Sequence, residues 1–311
     1  MSNWVICLGG SVNQVPYLKE IRKMNLKIFL LDKNKDAPGI EFSDKFEALG
    51  YDQINELEEL VKKEFFDSNK INYVFSASSQ FAQVAVSVLS DSLNLNFVDK
   101  RYISSCLDKK VFYKIFSKVS APYPKTVLIK NSDDLQYAIL EENLKCNWYL
   151  KSDFGKSPNY IYKINKNNFN NTNIFWGRDR YLSEGYLLQK EFQGIHLRVN
   201  ILNNKFCMFN HADNQLIEDA DFINRLKKFK LFEKLIEIQN YFNFEIFICK
   251  FDVIVSNNDW VVIDIGIDPP SRILKLYLNN DINFYKLYVK LMFGEKVEFP
   301  FFKNIASSIL N

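Results

Sequence analysis

The sequence contains no long apolar run and no strong excess of charge of either sign. No apolar stretch approaches the roughly 18 residues that a membrane-spanning helix requires, and the apolar run Trp4–Leu8 lacks the basic segment and cleavage site of a signal peptide. Lys and Arg number 40 against 37 Asp and Glu, and a net charge of +3 is small for a nucleic-acid-binding protein. We therefore expect a cytoplasmic protein whose partners include neither a membrane nor nucleic acid.

Cysteine and histidine are also sparse. The cysteines form no CxxC pair, which argues against a zinc site, and the apolar surroundings of four of the five suit a reducing compartment; they are Cys7, Cys106, Cys146, Cys207 and Cys249. Only two histidines occur in the 311 residues, His196 and His211. Aromatic residues are abundant, with 28 Phe and 16 Tyr, and we expect most of them to fill cores because they lie on strands and apolar helix faces.

The length allows about two domains at roughly 150 residues each, and the first hundred residues have a pattern of their own. Apolar runs at 4–8, 27–32 and 71–76 predict strands, and the stretches 54–66 and 81–93 have helical periodicity. Strands that alternate with helices predict a parallel, doubly wound α/β sheet.

The loop after the first predicted strand raises the question of a dinucleotide site. Its sequence, Gly9-Gly10-Ser11-Val12-Asn13, lacks the G-x-G-x-x-G pattern, although Asp32 lies at about the spacing expected for a ribose ligand. We favour a glycine turn that binds no dinucleotide, and the dinucleotide site stays open as the alternative.

The rest of the chain has an α+β pattern. Asn203-Asn204 predicts a hairpin between strands 196–202 and 205–209, and 257–259 predicts a second hairpin between strands 246–256 and 260–265. Helices are predicted at 222–242 and 281–293. The basic segment 225–234 could be read as a surface for RNA or a membrane, but its charges are typical of the solvated face of an amphipathic helix.

Carboxylates and lysines form the chemically informative pattern. Asp252 and Asp264 lie in apolar strands of the second predicted hairpin, where a carboxylate is costly to bury unless it is paired or binds a cation. Two such oxygen ligands suit Mg²⁺, with Asp268 as a further one. Lysines at the ends of predicted elements suit phosphate oxygens; they are Lys109, Lys151 and Lys190. Together these residues indicate a site for a nucleoside triphosphate with magnesium.

In this order the segments resemble the ATP-grasp superfamily, and within it the carbamoyl-phosphate-synthase-like carboxylate–amine ligases. The resemblance covers nearly the whole chain and rests on segments 108–110, 121–124, 148–151 and 188–194 and on the Asp252 and Asp264 hairpin. It implies a Rossmann-like pre-ATP-grasp domain over 1–105, a small ATP-grasp lobe over 106–187 and a large lobe with the metal site over 188–311.

The resemblance also implies roles for individual residues. Lys109 and Lys151 would contact ATP phosphates, and His196 would occupy the ribose-contacting position. The adenine would meet the hinge formed by Gln189, Lys190, Glu191 and Phe192. Mg²⁺, or Mn²⁺ as an alternative, would be held by Asp252, Asp264 and Asp268. Arg198 and Arg272 would join Lys151 in the catalytic set.

The implied reaction is ATP-dependent amide formation through an acyl phosphate, between a small-molecule carboxylate and an amine, by a protein that forms a homodimer. Loops 10–13 and 76–80 and the region after Pro269 would supply a pocket for a polar substrate of the amino acid or amino sugar type. Two departures from the family pattern leave an alternative open. The phosphate flap, 152–159, has a single glycine, and Gly266 replaces the usual asparagine. The alternative is a degenerate ATP-grasp protein that binds nucleotide or a partner without ligase activity.

Overall fold

The computed structural model describes residues 3–65, 71–141, 147–154, 161–165, 167–168, 185–244 and 247–300. The strands of these residues form three four-stranded sheets. Each sheet is built from four strands that are consecutive along the chain, although their order within the sheet differs from their order in sequence. No helix in the described ranges is long and apolar enough to cross a membrane.

The first sheet is parallel and has the order β3-β2-β1-β4. Its strands and helices are β1 (Trp4–Leu8), α1 (Val15–Lys23), β2 (Lys27–Leu31), a 3₁₀ turn (Pro38–Phe42), β3 (Lys45–Glu47), α2 (Ile54–Glu64), β4 (Ile71–Phe75), α3 (Gln80–Ser92) and α4 (Lys100–Ser105). Val5 and Cys7 of β1 pack in the same cluster as α1, whereas Ile6 and Leu8 pack with α2 and α3. Both faces of the sheet are therefore covered, and the doubly wound α/β prediction is confirmed.

The glycine loop after β1 is closed by Asp32. One carboxylate oxygen of Asp32 accepts the Gly10 N–H at 2.6 Å and the other accepts the Asn34 N–H at 2.8 Å. Gly9 has a φ of +96°, a conformation that a side chain would strain. These contacts give Asp32 a structural role and favour the glycine turn over a dinucleotide site.

The second sheet is antiparallel, with the order β5-β8-β6-β7. Its elements are α5 (Lys109–Lys118), β5 (Thr126–Ile129), α6 (Ser132–Glu141), β6 (Trp148–Ser152), β7 (Ile161–Ile164) and β8 (Tyr186–Lys190). The expected domain boundary at 187 falls inside β8, which pairs with β5 and β6. The division into domains at 105 and 187 stays a prediction.

The third sheet is also antiparallel and has the order β10-β9-β11-β12. Its elements are β9 (Ile195–Leu202), β10 (Lys205–Asn210), α7 (Ala220–Lys228), α8 (Leu231–Tyr241), β11 (Cys249–Val255), β12 (Trp260–Gly266), α9 (Ser271–Leu278) and α10 (Phe284–Met292). Asn203 and Asn204 have φ of 48° and 59°, the left-handed conformation of a two-residue hairpin turn. Both predicted hairpins are present.

Two helix predictions in this part were wrong. The single helix expected over 222–242 is two helices, because Lys230 adopts a left-handed φ of 54° and separates α7 from α8. The single helix expected over 281–293 begins too early, because Asp281 also has a positive φ and α10 starts at Phe284. Helix α9, which precedes it, was not predicted. Leu226 and Phe232 are buried, as the reading of 225–234 as an amphipathic segment requires.

Aromatic side chains join the first sheet to the end of the chain. Tyr17 of α1 makes edge contacts with Tyr285 and Tyr288 of α10, at ring-centroid distances of 4.9 and 5.6 Å. Tyr73 of β4 stacks on Phe293 at 3.9 Å. Among the described residues, most Phe and Tyr side chains are buried in the hydrophobic clusters or packed against them while partly buried, in line with the expectation that they fill cores.

Candidate functional site

A cavity of about 850 Å³ lies between the second and third sheets. Strands β6 and β8 form one wall and strands β9, β11 and β12 form the other. The cavity brings together most of the residues that the sequence singled out, namely Lys109, Lys151, Gln189, Lys190, Glu191, Phe192, His196, Arg198, Asp252 and Asp264. Residues from five strands and a helix terminus converge here although together they span more than 150 positions of the sequence, from Lys109 to Asp264.

Lys151 lies at the end of β6 and is buried in a polar network. Its ammonium donates to the Tyr113 hydroxyl at 2.6 Å and to the Ile263 carbonyl at 3.2 Å. Tyr113 itself donates to the same carbonyl at 3.1 Å. Burial lowers the pKa of Lys151 to about 7, with Asp264 opposing this shift and Lys109 adding to it. A group with such a pKa gains a proton readily when an anion arrives beside it.

Lys109 is the first residue of α5 and is also largely buried. Asp108 caps the helix by accepting from the N–H groups of Lys110 and Val111. The Lys109 N–H donates to the Asp153 carbonyl at 2.8 Å, and Lys110 forms an ion pair with the Asp153 carboxylate at 3.0 Å. The helix terminus is thereby fixed against the end of β6. Of the expected phosphate flap, 155–159 lies outside the described residues.

The hinge from Gln189 to Phe192 is held by its own contacts. The Gln189 amide donates to Tyr113 at 2.8 Å and to Thr126 at 3.1 Å. The Glu191 carboxylate accepts from Asn147, Tyr149 and Lys163, which keep its pKa below the ordinary value. These contacts fix the side chains of Gln189 and Glu191, while Lys190 is exposed at the end of β8.

Asp252 and Asp264 face each other across the β11–β12 hairpin. They are direct register partners, and an irregularity follows between Asp252 and Val253. Arg198 of β9 donates to both oxygens of Asp252 at 2.8 Å. Burial opposes ionisation of Asp252, but His196 and Arg198 outweigh burial and hold its pKa well below the ordinary value. Both acids line the cavity, and a pair of carboxylates beside a lysine-lined space fits Mg²⁺ held together with phosphate.

Asp268 and Arg272 lie outside the set of residues that lines this cavity. The Asp268 carboxylate forms an ion pair with Lys250 at 2.5 Å. Arg272 lies in the first turn of α9, and one of its terminal nitrogens is buried without a hydrogen-bond partner. Burial and the nearby charge of Arg198 lower the pKa of Arg272. The roles of Asp268 as a metal ligand and of Arg272 in catalysis stay predictions.

Comparison with solved structures agrees with this arrangement over nearly the whole chain. An N5-carboxyaminoimidazole ribonucleotide synthetase in complex with ADP superimposes with a TM-score of 0.71 at 11% identity, over 95% of this chain and 78% of the other. The Staphylococcus aureus N5-carboxyaminoimidazole synthetase with ADP gives 0.69 at 15% identity, over 96% and 79%. An L-amino acid ligase from Bacillus licheniformis gives 0.68 at 12% identity, over 94% and 74%.

The chain has the ATP-grasp fold. The fold class expected from the sequence, a doubly wound pre-ATP-grasp unit followed by the two ATP-grasp sheets, is confirmed. No protein-family model matches the sequence, and no curated protein matches it either.

The sequence did not predict two features of this cavity. Tyr113 links Lys151, Gln189 and the Ile263 carbonyl, but in the sequence it is one aromatic residue of an amphipathic helix. His196 and His211 stack face to face, with ring centroids 4.1 Å apart and planes within 6°. Their register gave a usable signal, because His211 follows the strand that the hairpin places beside His196.

A second cavity, of about 590 Å³, opens at the carboxyl ends of the first parallel sheet. Of the residues expected in a substrate pocket, Ser11 and Ser78 line it, together with Gln14. Gln14 is 2% exposed, and its amide nitrogen is buried without a hydrogen-bond partner. Phe154, two residues beyond Ser152 of the main cavity, also lines this second cavity. The region after Pro269 does not contribute to this lining.

Proposed function

We propose that the chain is an ATP-dependent carboxylate–amine ligase that forms an amide through an acyl phosphate. The observation that carries the proposal is the convergence of Lys109, Lys151, the hinge 189–192 and the Asp252–Asp264 pair on one cavity. Solved structures of the same fold include proteins described as complexes with ADP or ATP and a protein described as an amino acid ligase, which support the assignment.

In this proposal the adenine lies along the hinge and the phosphates extend toward the two lysines. Transfer of the γ-phosphoryl group to a carboxylate requires two anions to approach, and the positive charges of Lys109, Lys151 and Arg198 offset the repulsion. Burial of Lys151 strengthens its attraction for phosphate, since few waters screen it. Asp252 and Asp264 would hold Mg²⁺, which supplies charge neutralisation at the phosphates when bound.

The second step is attack of the amine on the acyl carbon, which forms the amide and releases phosphate. The protein's contribution here is to position the two substrates and to exclude water from the acyl phosphate. We assign the acceptor to the second cavity, whose unpartnered Gln14 amide nitrogen and serine hydroxyls suit a small polar molecule of the amino acid or amino sugar type. A cytoplasmic location and a homodimer stay predictions.

The experiment is a screen of carboxylates and amines, with ADP and hydroxamate as readouts. Hydroxylamine traps an acyl phosphate, so a productive carboxylate gives both ADP and hydroxamate in the absence of its natural amine. We expect Asp264→Asn to abolish both products while the fold is retained. The amide has the same shape as the carboxylate but lacks the negative charge that would help to hold Mg²⁺. Asp259→Asn is the matched control, since its exposed turn lies on the same hairpin and an amide oxygen can still accept the Trp260 N–H.

Retention of ADP formation in Asp264→Asn at the wild-type rate would contradict the proposed role of the hairpin. If ATP binds and no carboxylate in the screen yields ADP and hydroxamate, the result favours the alternative, a degenerate ATP-grasp protein that binds nucleotide without ligase activity. Gly266 is the observation that favours this alternative, because a glycine offers no side-chain oxygen two positions after Asp264.

A further inference from the structure

We propose that Tyr113 and Thr126 are positioning residues that orient the side-chain amide of Gln189. Through Gln189 they make the main cavity selective for a nucleobase with an exocyclic amino group, such as adenine, over a base with an oxygen at that position. The inference rests on the proposed function, which places the base of the nucleotide along the hinge 189–192. It adds two residues from α5 and β5, neither of which lines the cavity itself.

The hydroxyl groups of Tyr113 and Thr126 can only accept hydrogen bonds from Gln189. The Tyr113 hydroxyl donates its hydrogen to the Ile263 carbonyl at 3.1 Å. The Thr126 hydroxyl donates its hydrogen to the Pro124 carbonyl at 2.7 Å. A hydroxyl has one hydrogen and two lone pairs, so only lone pairs remain for the Gln189 side chain. Burial raises the pKa of Tyr113 well above its ordinary value, so this hydroxyl keeps its hydrogen.

The orientation of the Gln189 amide follows from these two acceptors. Its nitrogen donates to Tyr113 at 2.8 Å and to Thr126 at 3.1 Å, which uses both amide hydrogens. If the amide were reversed, its carbonyl oxygen would face two oxygens whose hydrogens already point at backbone carbonyls. Both hydroxyls would have to lose those bonds to donate to Gln189, and a buried polar group without a partner is costly.

The carbonyl oxygen of Gln189 is left for a ligand. Within the described part of the chain, Oε1 accepts no hydrogen bond, and it is not one of the fully buried polar atoms without a partner. Because Gln189 lines the cavity, this oxygen is open to it. Tyr113 is itself held in place, since its ring stacks on Tyr123 with centroids 5.3 Å apart. The hinge therefore presents a fixed acceptor to the cavity.

A fixed acceptor distinguishes bases by their exocyclic group. The N6 amino group of adenine can donate to Oε1 of Gln189, whereas the O6 atom of guanine or hypoxanthine is an acceptor and repels it. Lys151 shares the Tyr113 hydroxyl, because its ammonium donates to the same oxygen at 2.6 Å. Loss of that hydroxyl therefore also disturbs a lysine expected at the phosphates. The ratio of two nucleotide affinities, rather than either affinity alone, reports the proposed role.

The test compares the affinities of the full chain for ATP and for inosine triphosphate (ITP), each with Mg²⁺, by calorimetric titration. The two nucleotides have the same ribose and phosphates, and ITP carries an oxygen in place of the amino group. We expect the wild type to prefer ATP by about tenfold or more, because ITP leaves Oε1 of Gln189 facing an acceptor. Thr126→Val should reduce this preference at least about threefold, and Tyr113→Phe should do the same. In the double variant Gln189 can turn its nitrogen toward ITP, and the preference should disappear.

Tyr137→Phe, which removes an exposed tyrosine hydroxyl from α6, is the matched control and should keep the wild-type preference. Equal affinities of the wild type for ATP and ITP would overturn the proposal. So would a wild-type ratio in either folded variant, because a merely structural role lowers both affinities together. Thr126→Val preserves the size of the side chain and touches Gln189 but not Lys151, so it decides the matter even where Tyr113→Phe does not fold.

The outcomes distinguish this proposal from the proposed function. A chain that binds ATP and ITP equally retains the nucleotide site and contradicts only the role of the two hydroxyls. A chain whose preference for ATP depends on them, but which yields no hydroxamate in the screen, confirms that role and contradicts the ligase. A chain that binds neither nucleotide contradicts both.

Discussion

Lys151 shows how a single buried charge can be prepared for an anionic ligand. Its ammonium is held by Tyr113 and the Ile263 carbonyl, and burial brings its pKa to about 7. In the free protein a substantial fraction is therefore neutral at neutral pH. Phosphate beside the ammonium would favour the charged form and raise the pKa. Binding of ATP and protonation of Lys151 are then coupled.

We predict that ATP binding takes up a proton at about pH 8, where free Lys151 is mostly neutral, and much less at about pH 6, where it is already charged. The affinity for ATP should accordingly fall as the pH rises above about 7. Calorimetric titrations in buffers of different ionisation enthalpy measure the proton uptake. Lys151→Met should remove this uptake, whereas Lys118→Met, at an exposed position of α5, should keep it. Equal proton uptake in wild type and Lys151→Met would contradict the coupling.

Among the elements, α5 has its capping residue directly before a residue that lines the cavity. Asp108 satisfies two N–H groups of the first turn, and the next residue, Lys109, lines the cavity. Asp219 caps α7 in the same way, by accepting from the N–H groups of Asp221 and Phe222, but that helix lies outside the cavity lining. The two caps therefore form a matched pair with different consequences for function.

We predict that Asp108→Ala and Asp219→Ala each lower the free energy of unfolding by about 1 kcal/mol, the usual cost of losing such a cap. Only Asp108→Ala should also weaken ATP binding, because fraying of the first turn releases Lys109. Denaturant unfolding and ATP titration of both variants check this. ATP affinities that stay the same in both would show that the α5 terminus does not position Lys109.

Among the helices, strands and turns, those whose own residues favour a particular backbone conformation could be predicted from the sequence. Asn203 and Asn204 tolerate left-handed conformations, so the hairpin between β9 and β10 was predictable. Lys230 carries no such signal, and the break between α7 and α8 went unseen for that reason. Nothing in the sequence marks the start of α9 at Ser271, because the two prolines before it, Pro269 and Pro270, are also typical of a loop.

The folded molecule brings distant parts of the chain together, and many of the resulting contacts could not be predicted from the sequence. The order of motifs was enough to predict the ATP-grasp fold and to bring together Lys109, Lys151 and Asp264, which line one cavity. The network around Tyr113 depends on how a helix and separate strands meet, and spacing along the chain does not report such contacts. The packing of α1 on α10 through Tyr17, Tyr285 and Tyr288 is of the same kind.

A calorimetric titration of the full chain with Mg²⁺-ATP tests the central claim, that the cavity between the second and third sheets is a nucleotide site. We predict saturable binding of one ATP per chain, lost or strongly weakened when Lys109→Met and Lys151→Met are combined and unchanged in Lys118→Met. No heat of binding at millimolar ATP, or unaltered affinity in the double variant, would contradict it.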